Sequence, residues 1–371
     1  MLVFGAANTQ RRRRCKINTV RIPVLIVAGF LGSGKTTLLN HLLRNNRGTR
    51  IGVVVNDFGA VNIDSMLVAG QVDAMVSLGN GCVCCAVDVG ELDDLFTRLA
   101  QPRAKIDVIV VEASGLAEPR NLIRMVVGSE NPRIRYGGLV EVVDSEHFPD
   151  SRARHPELAT HLRLADLVVL NKADRVLPER LAELRQEVTD LIGQVPVYAT
   201  TCGRIDPGLL FDEPLREIPR VAEQLSFDEL LEDHDDQDHD DQDHDDHDHA
   251  EHRHLHDDYT SVSFTSDREL DPRRLIEFLE DPPPGLFRAK GFAAFGVAAE
   301  RRKFVLHMVG RHIVFEPDSW SRGEARTTQL VLIGAGLPTE AALARLHDTV
   351  HTAAEPLEEH AMLGIWRYTP H

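Results

Sequence analysis

Three features that would assign the chain to a membrane, secreted or nucleic-acid-binding class are missing from its 371 residues. No apolar run approaches the ~18 residues of a membrane span. The five cysteines form no spaced disulfide framework, and arginines follow the first apolar residues, the reverse of a secretory signal. The one basic run, residues 11–14, offers no basic face for nucleic acid. We therefore expect a cytoplasmic protein without a membrane or nucleic-acid partner.

The net charge of −17 comes almost entirely from one segment. Residues 228–258 contain 16 acidic residues and a single basic residue, Arg253. Asp, His and Gln dominate this segment, and apolar residues are almost lacking. Such a composition cannot offset the entropy cost of ordering. It predicts a disordered acidic, His-rich linker over residues 219–258 between two folded parts.

Short runs rich in Val and Ile predict the fold of the part before the linker. They lie at residues 22–28, 51–55, 107–111, 138–143 and 166–170. Such runs are typical of parallel strands buried on both faces, and amphipathic spacing at residues 38–43 and 181–191 predicts crossover helices between them. The sequence therefore predicts an α/β domain with a parallel sheet.

The part after the linker has a different pattern. Strands are predicted at residues 261–265, 291–297, 304–309, 312–315 and 330–334, and helices at 271–279 and 339–350. Strands outnumber helices and follow one another closely. This order favours a smaller α+β domain with a mainly antiparallel sheet.

A glycine-rich segment after the first predicted strand carries the pattern of a phosphate-binding loop. Residues 29–36, GFLGSGKT, fit G-x-x-x-x-G-K-[ST] between a strand and an amphipathic helix. In such a loop Lys35 would reach the β and γ phosphates, and the Thr36 hydroxyl would bind Mg²⁺. The alternative is a glycine-rich turn without a ligand. The predicted nucleotide-binding residues are Gly29, Gly32, Ser33, Gly34, Lys35, Thr36 and Thr37.

Two further motifs predict the base and the magnesium site. The carboxylate of Asp174, in Asn171-Lys172-Ala173-Asp174, would accept hydrogen bonds from guanine N1–H and its 2-amino group, which adenine lacks. We therefore expect Asn171, Lys172 and Asp174 to select GTP over ATP. Glu112 ends a predicted strand, where a phosphate-loop enzyme holds Mg²⁺ through an acid, usually by way of water. Its alternative is a solvated strand-end acid.

Three thiols, Cys82, Cys84 and Cys85, stand within four positions of a glycine-rich turn. They offer two or three soft ligands to one Zn²⁺, Co²⁺ or Cu⁺. Because a structural zinc site is usually closed by four protein ligands, three thiols favour an open site that can release its ion. Two alternatives stay open, namely buried small hydrophobes and a redox pair, although C-x-C is not the thioredoxin spacing.

The linker itself contains a histidine tract. Eight imidazoles interleaved with Asp suggest a low-specificity reservoir for Zn²⁺, Ni²⁺ or Co²⁺. The alternative is a solvating linker whose histidine content is incidental. These histidines are His234, His239, His244, His247, His249, His252, His254 and His256.

Taken together, these motifs resemble the CobW-like family of phosphate-loop GTPase metallochaperones. The resemblance rests on GFLGSGKTTLLNHLL at 29–43, NDFG at 56–59, GNGCVCC at 79–85, EASGLAEP at 112–119, NKAD at 171–174, RAKGF at 288–292, Trp320 and LVLIG at 330–334. It implies slow GTP hydrolysis, with Lys35, Thr36 and Glu112 as catalytic residues. It further implies delivery of a transition metal, zinc first, from the Cys82, Cys84 and Cys85 site to a client metalloprotein. The family commonly has Glu where Asp57 stands and a second acid where Ala60 stands.

The resemblance also implies a domain plan. We expect a leader over 1–20, a GTPase domain over 21–218, the linker over 219–258, a CobW C-terminal-like α+β domain over 259–352 and a tail over 353–371. Three other functions stay open at this point. They are a regulatory GTP-binding module acting on a macromolecular partner, a cobalt chaperone in cobalamin synthesis, and a metal buffer dominated by the histidine tract.

Overall fold

The first domain is built on a seven-stranded parallel sheet. The computed structural model describes residues 21–55, 74–77, 89–115, 118–212, 259–298 and 300–370. The strands lie in the order β3-β2-β4-β1-β5-β6-β7, and each pairing is parallel. They are β1 Ile22–Ala28, β2 Ile51–Val55, β3 Ala74–Ser77, β4 Val108–Glu112, β5 Ile134–Asp144, β6 Leu167–Asn171 and β7 Val197–Ala199.

Helices cover both faces of this sheet. The apolar side of α1 packs on the face that carries Leu25 and Val27, while α2 and α3 pack on the face of Val24 and Ile26. Burial on both faces explains why the strands are continuous runs of Val, Ile and Leu rather than alternating ones. The helices are α1 Lys35–Arg44, α2 Val89–Leu99, α3 Pro119–Val127, α4 Phe148–Arg154, α5 Leu158–Leu164, α6 Pro178–Ile192 and α7 Pro207–Leu210.

The second domain is a five-stranded antiparallel sheet in the order β11-β10-β9-β12-β8. Its own core joins the sheet to its helices around buried phenylalanines. The predicted fold class, a parallel sheet followed by a smaller α+β domain, is therefore confirmed. The elements are β8 Thr260–Ser266, α8 Pro272–Glu280, β9 Leu286–Ala293, β10 Lys303–Val309, β11 His312–Asp318, β12 Thr328–Gly334, α9 Thr339–His347, a 3-10 helix Glu359–Met362 and α10 Leu363–Arg367.

The structure differs from the predicted elements in several places. The short strands β3 and β7 were not predicted. The strand expected at 291–297 is β9, which runs from Leu286 to Ala293, so Gly291 lies inside the strand rather than at its start. A Cβ on Gly291 would stand 2.0 Å from the Gln329 carbonyl oxygen, so glycine is needed for the close approach of β12. Within the expected tail, Met362 and Ile365 are buried in the second domain's core.

The two sheets meet at a shared interface. Phe287, Val309 and Ile333 of the second domain belong to the same buried cluster as Val140 and Leu167 of the first. This apolar contact holds the second domain against the middle of β5 and the start of β6. In the described part of the chain, no helix combines the length and apolar character that a membrane crossing requires.

Candidate nucleotide site

The loop between β1 and α1 has a backbone that its glycines make possible. Gly29, Gly32 and Gly34 have φ values of 145°, 74° and 103°, in the region that L side chains disfavour. A Cβ on Gly34 would stand 2.2 Å from Nδ2 of Asn171. These conformations leave α1 to begin at Lys35 with its N-terminus directed at the loop, as an anion site requires.

The Lys35 side chain is folded back over this loop. Its Nζ donates hydrogen bonds to the carbonyl oxygens of Gly29, at 2.9 Å, and Phe30, at 3.1 Å. Lys35 is buried, and so is the neighbouring Ser33, whose hydroxyl has no hydrogen-bond partner in the described part of the chain. An ammonium and an unpartnered hydroxyl therefore lie in one loop, which suits a polyanion.

Thr36 and Glu112 meet across the first turn of α1. The Thr36 hydroxyl donates to Oε1 of Glu112 at 2.8 Å, and Glu112 is 4% exposed. Glu112 is the last residue of β4, which is the neighbour of β1 in the sheet. Glu112 therefore lies at a strand end, as the sequence predicted. Its carboxylate lies beside the Thr36 hydroxyl, the other group expected at the magnesium site. Thr37, in the same turn, is exposed.

Asn171 ties two loops together. Its Nδ2 donates to the Ser33 carbonyl oxygen at 2.9 Å, and its Oδ1 accepts from the Gly203 N–H at 2.9 Å. Asn171 is 2% exposed at the end of β6. It was expected to bind the nucleotide, and in this structure its contacts hold the phosphate loop against the turn that follows β7. Sequence reasoning missed that turn, although a glycine at position 203 was a signal for it, and Gly203 has a φ of 63° in the structure.

The rest of the motif lies at the surface next to that turn. Lys172 has a φ of 59°, and its Nζ donates to Oδ2 of Asp144 at 2.7 Å. Asp174 is exposed in the 3-10 helix Ala173–Arg175. The structure thus holds Lys172 in place and leaves the Asp174 carboxylate accessible. Asp144, the last residue of β5, was not predicted to belong to the site.

Several predicted residues lie outside the described part of the chain. The three thiols, the histidine tract and the two positions where the sequence departs from the family pattern all belong to this group. The residues are Cys82, Cys84, Cys85, Asp57, Ala60 and the histidines of residues 234–256.

Family models match both folded parts. A CobW/HypB/UreG nucleotide-binding domain matches residues 23–199, and a cobalamin synthesis protein cobW C-terminal domain matches residues 259–350. The Zn(II)-bound YjiA GTPase from Escherichia coli has a solved structure that matches at a TM-score of 0.41 with 22% identity, over 89% of this chain and 99% of that one.

Two relatives align along most of this chain. The zinc chaperone CobW of Pseudomonas aeruginosa is 33% identical over 357 residues, which cover 85% of this chain and 88% of the relative. The zinc chaperone CobW of a Sinorhizobium species is 28% identical over 365 residues, covering 88% and 97% respectively. Since the family models match both folded parts and a relative at 33% identity covers 85% of the chain, the chain belongs to the CobW family.

Proposed function

We propose that the chain is a GTP-hydrolysing metallochaperone that delivers zinc to a client metalloprotein. The observation that carries the proposal is the meeting of Lys35, Thr36 and Glu112 at the carboxyl ends of β1 and β4. Ligands of open α/β sheets bind at this edge. Membership in the CobW family and the zinc chaperone names of the relatives support the reaction and the metal.

The phosphate-binding step follows from the loop. When a triphosphate enters, the Lys35 ammonium exchanges its two carbonyl partners for phosphate oxygens, because ionised acceptors form the stronger hydrogen bonds. The N-terminus of α1, which begins at Lys35, binds the remaining charge. Lys35 then opposes the charge that develops on the β–γ bridging oxygen as the γ-phosphoryl group leaves.

The residues present fit a magnesium ion. Thr36 and Glu112 supply hydroxyl and carboxylate oxygens, the hard donors that Mg²⁺ prefers, and these atoms are 2.8 Å apart. When bound, the ion would neutralise charge on the β and γ phosphates. Thr36 would be its direct ligand, and Glu112 would orient it, usually through water.

Guanine selection is assigned to Asp174. Its carboxylate is accessible at the edge of the sheet, next to the turn at Gly203, and can accept from both donors of guanine. Asn171 contributes indirectly, because it fixes the loops on either side of the base site. The zinc cargo is assigned to Cys82, Cys84 and Cys85, whose thiolates are soft ligands.

A paired measurement of hydrolysis and metal binding tests this function. Lys35→Ala should abolish GTP hydrolysis, because the phosphates lose the cation that the loop supplies. Arg163→Ala, which removes an exposed cation from α5, is the control and should leave the rate unchanged. Near-normal turnover in Lys35→Ala would rule out this site.

Metal binding is measured by titrating Zn²⁺ into the protein without nucleotide, with GDP bound and with a non-hydrolysable GTP analogue bound. A chaperone should bind one Zn²⁺ tightly, with an affinity that changes with the bound nucleotide. This tight binding should be lost when Cys82, Cys84 and Cys85 are changed to Ser. Several weakly bound Zn²⁺ ions, with affinities that do not depend on the nucleotide, would indicate a metal buffer instead. Partner recruitment by the GTP state without metal would indicate a regulatory module.

A further inference from the structure

A cavity of about 380 Å³ lies between the two domains, at the start of β5. The first domain contributes Arg135 and the segment that joins α3 to β5, and the second domain contributes His307 of β10 and His312 of β11. Pockets of this volume commonly hold small molecules. The strand from Arg135 to Asp144 spans about 30 Å, so the cavity is far from the nucleotide site, at the opposite edge of the sheet.

Arg135 brings a cation into this cavity without a paired anion. It is the second residue of β5, and its guanidinium makes neither a hydrogen bond nor an ion pair with any residue that the structure describes. Burial and the repulsion of Arg288 lower the pKa of Arg135 to about 10, so the side chain is still charged at neutral pH. An arginine has five N–H donors and no acceptor. The cavity therefore contains a set of donors that an anion can use.

Two histidines on the wall from the second domain add further donors. The ring nitrogens of His307 and His312 make no hydrogen bond within the described ranges. Burial, followed by the charge of Arg135, lowers the pKa of both rings, that of His307 to about 3. Each ring is therefore neutral at pH 7 and offers one N–H. His312 also packs edge-on against Tyr136, with 5.3 Å between the ring centres, which restricts the orientation of its ring.

Two carboxylates line the cavity, but neither is paired with Arg135. Glu316 of β11 pairs with Arg21 at 3.3 Å, at the other side of the cavity. Glu130 is exposed to solvent in the segment before β5. The positive charge of Arg135 is therefore not neutralised by an acid in direct contact with it.

The neighbouring strand β9 adds to the positive charge. Arg288 pairs with Val309, a residue of the cavity wall. It is 5% exposed, and its Nη1 has no hydrogen-bond partner among the described residues. Its Nη2 binds Asp212 at 3.0 Å, and Lys290 binds the same carboxylate. One acid thus faces two cations next to Arg135, and a buried charge without a counter-ion is costly.

We propose that this cavity is a binding site for a small organic anion, with the Arg135 guanidinium as its main partner. The charged group is a carboxylate or a phosphate, because both present paired oxygens that a guanidinium binds through two parallel hydrogen bonds. The two imidazoles would each donate one further hydrogen bond. The apolar side chains of Val126, Ile134 and Val314 line the rest of the cavity, which suits a hydrocarbon part of the ligand. The residues of the nucleotide site take no part, so the inference does not rest on the proposed function.

The ligand would also join the two domains. Arg135 belongs to the first sheet, whereas His307 and His312 belong to the second. An anion that binds all three side chains therefore bridges the sheets. Because a ligand that binds only the folded protein stabilises it, the anion should raise the melting temperature.

The test is calorimetric titration of the full chain at pH 7 with phenyl phosphate, with benzoate and with uncharged benzyl alcohol. GDP and Mg²⁺ are present at saturating concentration, so that the phosphate loop is occupied. At least one anion should bind at one site per chain, and benzyl alcohol should not bind. The anion with the lower Kd identifies the charged group. Arg135→Met should raise this Kd at least tenfold, whereas Arg133→Gln, which removes an exposed cation outside the cavity, should leave it unchanged.

Thermal melting supplies a second readout that a merely structural arginine would not change. The anion should raise the melting temperature of the wild type and of Arg133→Gln, but not that of Arg135→Met. His307→Phe, which removes a donor and fills part of the cavity, replaces Arg135→Met if that variant does not fold, and should also weaken binding. Failure of both anions to bind the wild type, or undiminished binding by the cavity variants, would overturn the inference.

Discussion

Asn171 provides the sharpest test of how the nucleotide site is held together. Its buried amide joins the phosphate loop to the turn after β7 through two hydrogen bonds of 2.9 Å. Asn171→Ala leaves the Ser33 carbonyl and the Gly203 N–H buried without these partners, at about 1–3 kcal/mol each. We expect a loss of about 3 kcal/mol in the free energy of unfolding. For a domain of this size the melting temperature should fall by about 6–12 °C.

Urea denaturation and thermal melting measure this loss, with nucleotide binding as a second readout. The matched control is Asn121→Ala, because Asn121 makes no side-chain hydrogen bond in the part of the chain that the structure describes. Asn171→Asp separates the two bonds, since a carboxylate accepts from Gly203 but cannot donate to Ser33. A loss below about 1 kcal/mol in Asn171→Ala, with nucleotide affinity unchanged, would refute the role of this side chain as a tie between loops.

Three more outcomes follow from the same geometry. Gly34→Ala should abolish nucleotide binding, because its Cβ would stand 2.2 Å from the amide beneath it, whereas Gly193→Ala, also at positive φ but in open space, should bind normally. Asp174→Asn should weaken the preference for GTP over ATP in competition binding, since an amide faces one guanine donor with its own NH₂. Burial raises the pKa of Asp166 to about 6, so its ionisation destabilises the fold as pH rises from about 4 to 6. Between those pH values the stability of wild type relative to Asp166→Asn should fall by up to about 3 kcal/mol, with no such change for the exposed Asp267→Asn.

The parts of the site that the sequence predicted are those governed by local chemistry. A glycine pattern before a helix specifies a backbone conformation, and Gly29, Gly32 and Gly34 adopt it. Glu112 was found at a strand end because an apolar run of Val and Ile is interrupted there by a single acid. In both cases the residue type and its immediate neighbours carry the information.

The parts that escaped prediction depend on contacts between distant segments. Asn171 was grouped with the base-binding residues, yet its partners lie 138 and 32 residues away in sequence. Asp144 follows a Val-rich run that predicts only a buried strand, and its hydrogen bond from Lys172 appears when β5 is placed beside β6. Met362 and Ile365 fill the second core from a segment without a strong periodic pattern.

The length of β5 links the interdomain contact to the nucleotide site and restricts how the two can influence each other. A Cβ on Gly138, in the middle of β5, would stand 2.6 Å from the Val309 side chain of the second domain, and Asp144, which accepts from Lys172, is the last residue of the strand. The strand is bonded to β1 on one edge and β6 on the other, so sliding it would break two ladders at once. Rotation of the Lys35 side chain disturbs neither ladder. We therefore expect nucleotide binding to act at this edge through side chains such as Lys35, while the second domain keeps its place against the middle of β5.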